Sequence, residues 1–555
     1  MIKLLAKERT IAGPGFSRWL VPPAALAIHL CIGMAYGFSV FWKPLGQVLS
    51  GMDGKPLAAC SAGATQMSGK LAALGRALFA TDCNWGQFDL GWMYTLFFVL
   101  LGCSAAVWGG WLERAGPRKA GVVAAACWCG GLVISSIGVV QHQLWLLWLG
   151  SGVIGGVGLG LGYLSPVSTL IKWFPDRRGM ATGLAIMGFG GGAMIGSPLA
   201  TFLMQRFARP GDPGVWQTFL VLAGIYALFM FGGAFGYRIP ASGWRPAGWT
   251  PPAPASAPTL VATRHVHLRN AHRTPQFWLL WLVLCMNVSA GIGIIGAASP
   301  MLQETFAGAL IHEPSLGFDA LRADSARLAA VVAVAAGFVG LISLFNIAGR
   351  IVWASASDTL GRKRTYGVFF VLGIAAYLLA SVAADQRNLV LFAGCFCLIA
   401  SMYGGGFATI PAYLADLFGT QFVAAIHGRL LTAWSTAGIL GPMVVNYLHD
   451  VRVESGIAHA EVYSPIFWVL AALLVVGLVA NLLVRPVAAR YFMGDEELAH
   501  EKALAHERSI EEFNRAGAVA TATPRALLVL AWLAVGLPLA YGIGVTLQKS
   551  ALLFQ

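Results

Sequence analysis

The stretch GGWLERAGPRKAG, residues 109–121, returns in altered form as WASASDTLGRKRTYG, residues 353–367. Glu113 aligns with Asp358, and the turn glycine and basic residues that follow align at the same offset of 245 residues. That offset also carries three positions onto identical residues, namely Pro166 onto Pro411, Gly183 onto Gly428 and Gly196 onto Gly441. One register over several segments predicts a duplicated fold whose halves are parallel repeats about an axis along the membrane normal.

Thirteen apolar runs, here numbered spans 1 to 13, surround these loops, and each can cross a core of about 30 Å as a helix. They are residues 19–41, 90–111, 120–140, 144–171, 180–204, 216–237, 277–298, 328–353, 366–384, 389–417, 422–448, 466–484 and 526–547. With 57% hydrophobic and 11% charged residues, the chain has less than half the charge of a soluble domain. The predicted fold class is all-α, a polytopic membrane protein with a 6+6 transmembrane helix bundle and a thirteenth C-terminal span. The short alternating segments of a β-barrel are absent from the sequence.

Changes in composition divide the chain into five parts. We expect an N-terminal six-helix bundle at 1–237, a cytoplasmic linker at 238–276, a C-terminal six-helix bundle at 277–493, a charged cytoplasmic segment at 494–525 and an extra span at 526–555. External insertions are expected at 43–89 and 299–327, in corresponding places of the two halves. The linker is first rich in Pro and Ala and then basic, and its basic stretch is expected at the inner leaflet.

The formal net charge of +13 could indicate nucleic-acid binding. The basic residues, however, lie in short loops between apolar runs, which is how orientation in a membrane is encoded. Their distribution predicts a cytoplasmic N-terminus, and thirteen crossings then place the C-terminus outside. No partner nucleic acid is expected.

The repeated loop combines an acid at a helix end, a turn glycine and several basic residues. Such a loop can make charge-assisted bonds to a neighbouring helix end, and these bonds can break as two halves rock. We expect a gating role, with a role in topology alone as the alternative. The predicted gating residues are Glu113, Arg114, Gly116, Arg118, Lys119, Asp358, Gly361, Arg362, Lys363 and Arg364.

These loops resemble the signature loop of the major facilitator superfamily, which lies between spans 2 and 3 and again between spans 8 and 9. A closer similarity is to the oxalate/formate antiporter family of organic-anion transporters within it. The stretches that carry it are FSVFWKPL at 38–45, NWGQFDLGWMYT at 84–95 and LIKWFPDRRGMATGLAIMGFGGGAMIGSP at 170–198. The text of span 13, residues 527–549, resembles a small single-span subunit that accompanies such transporters, here fused to the chain.

Arg350 is the strongest single candidate for a binding residue. It precedes Asp358 by eight positions, hence about 12 Å along a helix, and no other Lys, Arg, Asp or Glu lies in the interior of a span. A buried arginine needs water or a partner. An anionic substrate held by two parallel N–H···O bonds fits, because a guanidinium suits a carboxylate. The alternative is a structural arginine that caps the carbonyls of a broken helix.

The resemblance implies two basic residues in the site, one in span 8 and one in span 11. Arg350 occupies the first place, but span 11 reads HGRLLTAWSTAGILGP at 427–442, with Trp434 at the central position. One interior positive charge is easier to balance with a monocarboxylate than with a dicarboxylate. This departure counts against oxalate itself.

Other residues at mid-depth could line the cavity or serve packing alone. His29 in span 1 could hydrogen-bond the substrate or carry a proton. The remaining candidates are polar or aromatic: Tyr36, Tyr163, Asn287, Asn346, Tyr403 and Trp434.

Cys60 and Cys83 both lie in the first external insertion, where they could form a disulfide in an oxidising periplasm or remain free thiols. Neither a metal site nor a cofactor is expected. A nucleotide site is not expected either, because the phosphate-loop motif is absent and the G-x-G-x-G of span 4 lacks the preceding strand.

The sequence predicts a secondary transporter of small organic anions in a bacterial inner membrane that works by alternating access. We expect it to be a monomer, and we expect no enzymatic activity. Monocarboxylates such as formate, lactate and pyruvate are the favoured substrates, with oxalate/formate exchange as a further option. The alternatives are export of another solute, a membrane redox or haem protein, and a sensor that does not transport. The lipid bilayer and the anion are the partners expected.

Overall fold

The computed structural model describes residues 2–50, 57–62, 67–250, 260–504 and 522–554. Over these residues the chain is helical, with isolated β-bridges and no strands. In the first half, spans 1 to 6 comprise Arg18–Leu20, Val21–Ile32, Gly33–Phe41 and Trp42–Leu45; Gln87–Ala115; Pro117–Val140; Leu144–Leu147, Trp148–Ile154 and Gly155–Trp173; Arg178–Phe207; and Val215–Gly236. Gly33–Phe41 is a 3-10 helix and Trp148–Ile154 a π-helix.

In the second half, spans 7 to 13 comprise Pro275–Phe306; Ser325–Leu360; Arg362–Asp385; Leu389–Phe418; Val423–Leu430 and Thr432–Glu454; Ser464–Leu483; and Arg525–Ser550. Short helices between or beside them are Ile2–Leu5, Lys7–Thr10, Met67–Ala77, Leu268–Ala271, Ala307–Ile311, Phe318–Arg322, His459–Glu461, Ala489–Tyr491, Asp495–Leu504 and Ala551–Phe554. Spans 5 and 8 pack together across the two halves, and so do spans 2 and 11.

Twelve helical segments among the described residues are long and apolar enough to cross a membrane. They correspond to the predicted spans except span 11, whose helix is interrupted at Leu431. There the Thr432 hydroxyl donates to the Arg429 carbonyl at 2.7 Å, a local side-chain bond that competes with regular helix. Leu431 itself keeps helical backbone angles and donates to the His427 carbonyl, so span 11 has one tightened turn there. Its second piece runs on past Leu448 to Glu454.

Span 7 is longer than its hydropathy indicated. The helix continues from the predicted end at Ala298 to Phe306, and span 8 already begins at Ser325, so the expected insertion at 299–327 is largely replaced by helix. The extension places Glu304, with 8% of its surface exposed, inside the bundle near the end of the helix.

The first insertion is tied down by covalent and polar contacts. Cys60 and Cys83 form a disulfide, and the Asn84 amide bonds to the backbone of Leu49 and Leu57 at 2.8–2.9 Å. Residues 51–56 and 63–66 of this insertion lie outside the described residues.

The basic part of the linker pairs with the charged segment near the C-terminus. Arg269 bonds to Glu497 at 2.5 Å and His267 lies 3.4 Å from Glu501, so the short helix Asp495–Leu504 rests on the linker. The Pro-rich residues 251–259 of the linker lie outside the described residues, and so do residues 505–521 of the charged segment.

Span 13 lies in a groove between spans 1, 5 and 8. Near its beginning, Trp532 Nε1 donates to the Trp19 carbonyl of span 1 at 3.1 Å. At its end, the Ser550 hydroxyl donates to the Gly337 carbonyl of span 8 at 3.0 Å. The helix therefore contacts both halves of the bundle.

Candidate functional site

Arg350 lies within the long helix of span 8 and is completely buried. Its Nε donates to the Asn346 side chain at 3.2 Å, and its Nη1 donates to the Ile186 carbonyl of span 5 at 3.0 Å. Nη2 makes no hydrogen bond within 3.5 Å among the described residues, although the Tyr36 hydroxyl lies close enough to the guanidinium to interact with it. Because an unsatisfied buried donor is costly, the guanidinium has a vacant bonding position for an acceptor.

Two phenylalanine rings flank this guanidinium. Its Cζ lies 5.8 Å from the ring centroid of Phe189 in span 5 and 5.8 Å from that of Phe407 in span 10. A ring face attracts a cation electrostatically, but it does not accept hydrogen bonds from the guanidinium as a carboxylate does. The charge of Arg350 is therefore held between the halves without a carboxylate partner among the described residues.

Further aromatic rings surround Phe189. Trp434 and Tyr163 lie 5.5 Å from it, centroid to centroid, and 5.4 Å from each other. Trp434 also packs on Phe407 at 4.7 Å. The Nε1 of Trp434 and the hydroxyl of Tyr163 are buried and have no partner among the described residues, so two more donors lie unsatisfied in the same cluster.

Tyr36 and Tyr403 join the two halves at this level. Their hydroxyls are 3.1 Å apart, and the Tyr36 ring meets Phe189 edge to face at 4.9 Å. Two hydroxyls that satisfy each other hold span 1 of the first half against span 10 of the second half.

His29 is buried beside the cluster, but it is occupied by backbone. Its Nδ1 lies 2.5 Å from the Ala185 carbonyl and its Nε2 lies 3.2 Å from the Tyr163 carbonyl. Since both ring nitrogens face carbonyls, neither is directed at Arg350. The contacts fit a residue that positions spans 1, 4 and 5.

Asn287 makes no contact with Arg350 but shares a cavity with one other predicted residue, Tyr403. It lines a cavity of about 220 Å³ with Tyr403 and Tyr377, between spans 7, 9, 10 and 12. Its Oδ1 is buried and unpartnered among the described residues, but none of its contacts reaches Arg350. A second cavity, with an empty volume of about 500 Å³, is apolar, lies in the first half and is lined by residues such as Phe38, Phe97 and Leu132.

Three residues near Arg350 were not predicted from the sequence: Phe189, Phe407 and His427. Phe189 and Phe407 lie in apolar, glycine-rich runs where one more phenylalanine carries no signal. His427 is buried in the first piece of span 11, with Nε2 unpartnered among the described residues and its ring 5.9 Å from Tyr163. For Phe189 a signal did exist, because the offset of 245 residues carries it onto Trp434.

The acids of the two repeated loops both reach the other half. The Asp358 carboxylate accepts from the backbone N–H groups of Gly179 and Met180 at 2.8 and 2.9 Å, at the beginning of span 5. The Glu113 carboxylate accepts from the N–H of Ala424 at 3.0 Å, at the beginning of span 11. Each acid thus caps the positive end of a helix.

The basic residues of the loops act mostly within one half. Arg118 donates to the carbonyls of Leu4 and Tyr237 at 3.1 and 3.4 Å, and Lys363 donates to those of Leu482 and Val484 at 2.8 Å. They hold the last turns of spans 6 and 12, where cations are favoured. Arg114, Lys119 and Arg364 are exposed.

The remaining loop residues shape the turns and one ionic network. Gly116 and Gly361 both have φ near +85°, a conformation that favours glycine. Arg362 bridges Asp358 at 2.7 Å and Asp416 of span 10 at 3.1 Å. Asp416 in turn pairs with Arg178 of span 5 at 2.9 Å, so this network also crosses between the halves.

Comparison with known proteins adds a family and a fold. The family model described as Major Facilitator Superfamily matches residues 58–343 and 288–552. The oxalate:formate antiporter of Oxalobacter formigenes is 27% identical over 355 residues, which is 63% of this chain and 73% of that protein. The apicoplast pyruvate carrier 1 of Toxoplasma gondii is 25% identical over 457 residues, 72% of this chain and 78% of that protein.

Among solved structures, the proton:xylose symporter XylE has a TM-score of 0.55 and 13% identity. The match covers 86% of this chain and 98% of the symporter. At that identity the likeness concerns the helix arrangement alone.

Proposed function

Because the chain belongs to the Major Facilitator Superfamily, we propose that it is a secondary transporter of small organic anions and that it works by alternating access. Monocarboxylates of the size of formate, lactate and pyruvate are the proposed substrates. Members of this superfamily bind small substrates within the membrane, and the relatives above are named as carriers of oxalate, formate and pyruvate.

The observation that carries this proposal is the vacant Nη2 of Arg350. A fully buried guanidinium with no carboxylate among its described neighbours binds an anion without first breaking an ion pair. The free donors of Trp434 and Tyr163 lie in the same ring cluster. A carboxylate has enough lone pairs to accept from all three.

One positive charge supports a singly charged substrate. Phe189 and Phe407 cover the two sides of the guanidinium, and Trp434 takes the place where the resemblance implies a second base. A second carboxylate would enter this cluster of rings without a counter-charge, and burying a bare charge is expensive. We therefore propose that oxalate is a poorer substrate than the monocarboxylates.

The two loop acids supply the movable contacts. We call the side of the bundle that carries Glu113 and Asp358 the loop face, and the opposite side the far face. We propose that the loop face is cytoplasmic and that the bonds from Asp358 to Gly179 and from Glu113 to Ala424 close it. Because each bond joins an acid of one half to a helix end of the other, opening this face breaks both.

Uptake in proteoliposomes against a panel of mono- and dicarboxylates tests the proposal. The wild-type chain should take up or exchange at least one monocarboxylate faster than oxalate. Arg350→Gln should lower that rate by more than about 100-fold, because it removes two charge-assisted bonds worth about 1.5–3 kcal/mol each. Arg209→Gln, at an exposed position between spans 5 and 6, is the matched control and should keep the wild-type rate.

Three outcomes contradict the proposal. Near wild-type uptake by a folded Arg350→Gln protein removes Arg350 from the site. Transport of neutral or cationic solutes with no response to any carboxylate favours an exporter of another solute class, and no counterflow of any solute favours a sensor.

A further inference from the structure

A compact group of metal-ligating side chains lies on the far face, away from Arg350. Glu304 comes from the end of span 7, His449 from the end of span 11, and His459 from the short helix His459–Glu461 that precedes span 12. His449 Nε2 lies 2.9 Å and His459 Nδ1 lies 3.5 Å from Glu304 Oε2. One ligand atom from each residue lies within 4.8 Å of the others.

These separations suit a tetrahedral ion. With Zn–N and Zn–O bonds of about 2.0–2.2 Å, two ligand atoms of a tetrahedral site lie about 3.4 Å apart. Two of the observed distances lie within about half an ångström of that value. Two histidines and one carboxylate are a ligand set that zinc accepts with a fourth position left open.

The surroundings hold both imidazoles in place. On the side of the ring opposite Glu304, His449 Nδ1 lies 3.1 Å from Asp450 Oδ1, and His459 Nε2 lies 3.5 Å from Asp319 Oδ1. A carboxylate behind each ligating imidazole fixes its tautomer and raises its basicity. The Tyr463 hydroxyl donates to Glu304 Oε2 at 2.8 Å and orients this carboxylate.

We propose that Glu304, His449 and His459 bind a Zn²⁺ ion that enters from the far face. Glu304 is nearly buried, whereas His449 and His459 are 23% and 16% exposed, so the group is open on one side. A bound ion would fasten the far-face ends of spans 7 and 11 to the segment before span 12. The site stands apart from Arg350 and does not depend on the identity of the transported anion.

Protons are the rival occupants of this cluster. His449 faces Glu304 through Nε2 and Asp450 through Nδ1, so both of its ring nitrogens have a carboxylate acceptor. A protonated His449 would pair with Glu304 and need no metal. Zn²⁺ must displace that proton, so its affinity should fall as the pH is lowered.

Titration of the purified full chain with Zn²⁺ separates the two occupants. The protein is purified through a tag without histidine, and binding is followed by calorimetry and by melting temperature. The wild-type chain should bind one Zn²⁺ and melt higher with it. His449→Ala and His459→Ala should each weaken binding at least about tenfold, in the range seen when metal-site partners are removed.

His312→Asn is the matched control, because His312 is an exposed histidine in the connection between spans 7 and 8 and lies outside the cluster. It should leave the affinity unchanged. Co²⁺ in place of Zn²⁺ should give tetrahedral ligand-field bands in the wild type that His459→Ala abolishes. Zn²⁺ binding that is absent, or unaffected by both alanine variants, overturns the proposal, and a pH-dependent melting temperature that Zn²⁺ does not alter assigns the cluster to protons instead.

Discussion

The contact of span 5 with span 8 and the contact of span 11 with span 2 are copies related by the repeat, yet they differ in charge. Gly183 packs on the carbonyl of Arg350, and Gly428 packs on the carbonyl of Ala105. Both pairs follow the offset of 245 residues. At the same depth, therefore, one contact carries a guanidinium and the other a methyl group.

The loop ends of the two contacts differ in the same direction. Asp358 accepts two backbone N–H bonds and also pairs with Arg362, whose second partner is Asp416. Glu113 accepts one backbone bond and pairs with Lys172 at 2.9 Å. The duplication thus keeps the helix packing, while the charged groups that we propose for binding and closure are concentrated at spans 5 and 8.

Among the variants that test this comparison, the largest effect is expected from adding a side chain to the glycines that both contacts share. A Cβ at position 428 would lie 2.2 Å from the Ala105 carbonyl oxygen, and one at position 183 would lie 2.6 Å from that of Arg350. Overpacking of this kind costs about 1–3 kcal/mol, and here the atom that must move is backbone. Gly428→Ala should lower the uptake rate by more than about tenfold and should also lower the melting temperature. Gly183→Ala should lower both by less.

Gly438→Ala is the control for these variants, since a Cβ there would meet only the Phe98 ring at 3.9 Å. Equal melting temperatures for Gly428→Ala and Gly438→Ala would show that spans 2 and 11 can move apart at little cost. The fold would then not depend on the close approach of Gly428 to Ala105.

A smaller effect is expected from moving charge into the neutral contact. Trp434→Lys places an ammonium in the ring cluster, where the resemblance implies a second base. It should raise the rate of oxalate relative to formate by about tenfold, since one added charge-assisted bond is worth about 1.5 kcal/mol or more. Competition between the two labelled anions in proteoliposomes measures the ratio. An unchanged ratio would mean that Trp434 does not face the substrate, and Phe98→Leu, at a ring that borders Trp434 at 5.9 Å, controls for altered packing.

The smallest effect is expected at the loop face. Asp358→Asn loses one of two backbone bonds and the ion pair with Arg362. Glu113→Gln loses the ion pair with Lys172 but keeps an oxygen for its single backbone bond. The Glu113 side chain is buried and that of Asp358 is 17% exposed. The two variants differ by one backbone hydrogen bond, worth about 0.5–1.5 kcal/mol, or about fivefold in transport rate. Paired uptake assays of the two variants measure it, and a larger loss in Glu113→Gln would reverse the ranking of the two contacts.

The sequence predicted the helix count, the repeat and the isolated arginine, because hydropathy and charge act over whole segments. It did not predict the neighbours of Arg350. Which side of a buried helix faces the centre depends on packing when both sides are apolar, so Phe189 and Phe407 could not be distinguished from other rings. Asn287 lines a cavity between spans 7, 9, 10 and 12, and its contact with substrate stays a prediction.

The zinc ligands illustrate the same limit. Glu304 falls outside the hydropathic run of span 7 and becomes buried only because the helix continues to Phe306. His449 and His459 belong to two different elements. Nothing in their spacing along the chain resembles a metal motif, and three helix ends must meet before the cluster exists.

Span 13 is lightly packed, with 17% of its apolar window buried, against 28% or more for each of the other eleven candidate spans. A helix that made so few contacts and was not covalently attached would dissociate from its groove at low protein concentration. Here 41 residues connect Leu483 to Arg525, and a covalent tether of that kind maintains a high effective concentration without any added contact. The covalent connection therefore keeps one copy of span 13 beside each bundle.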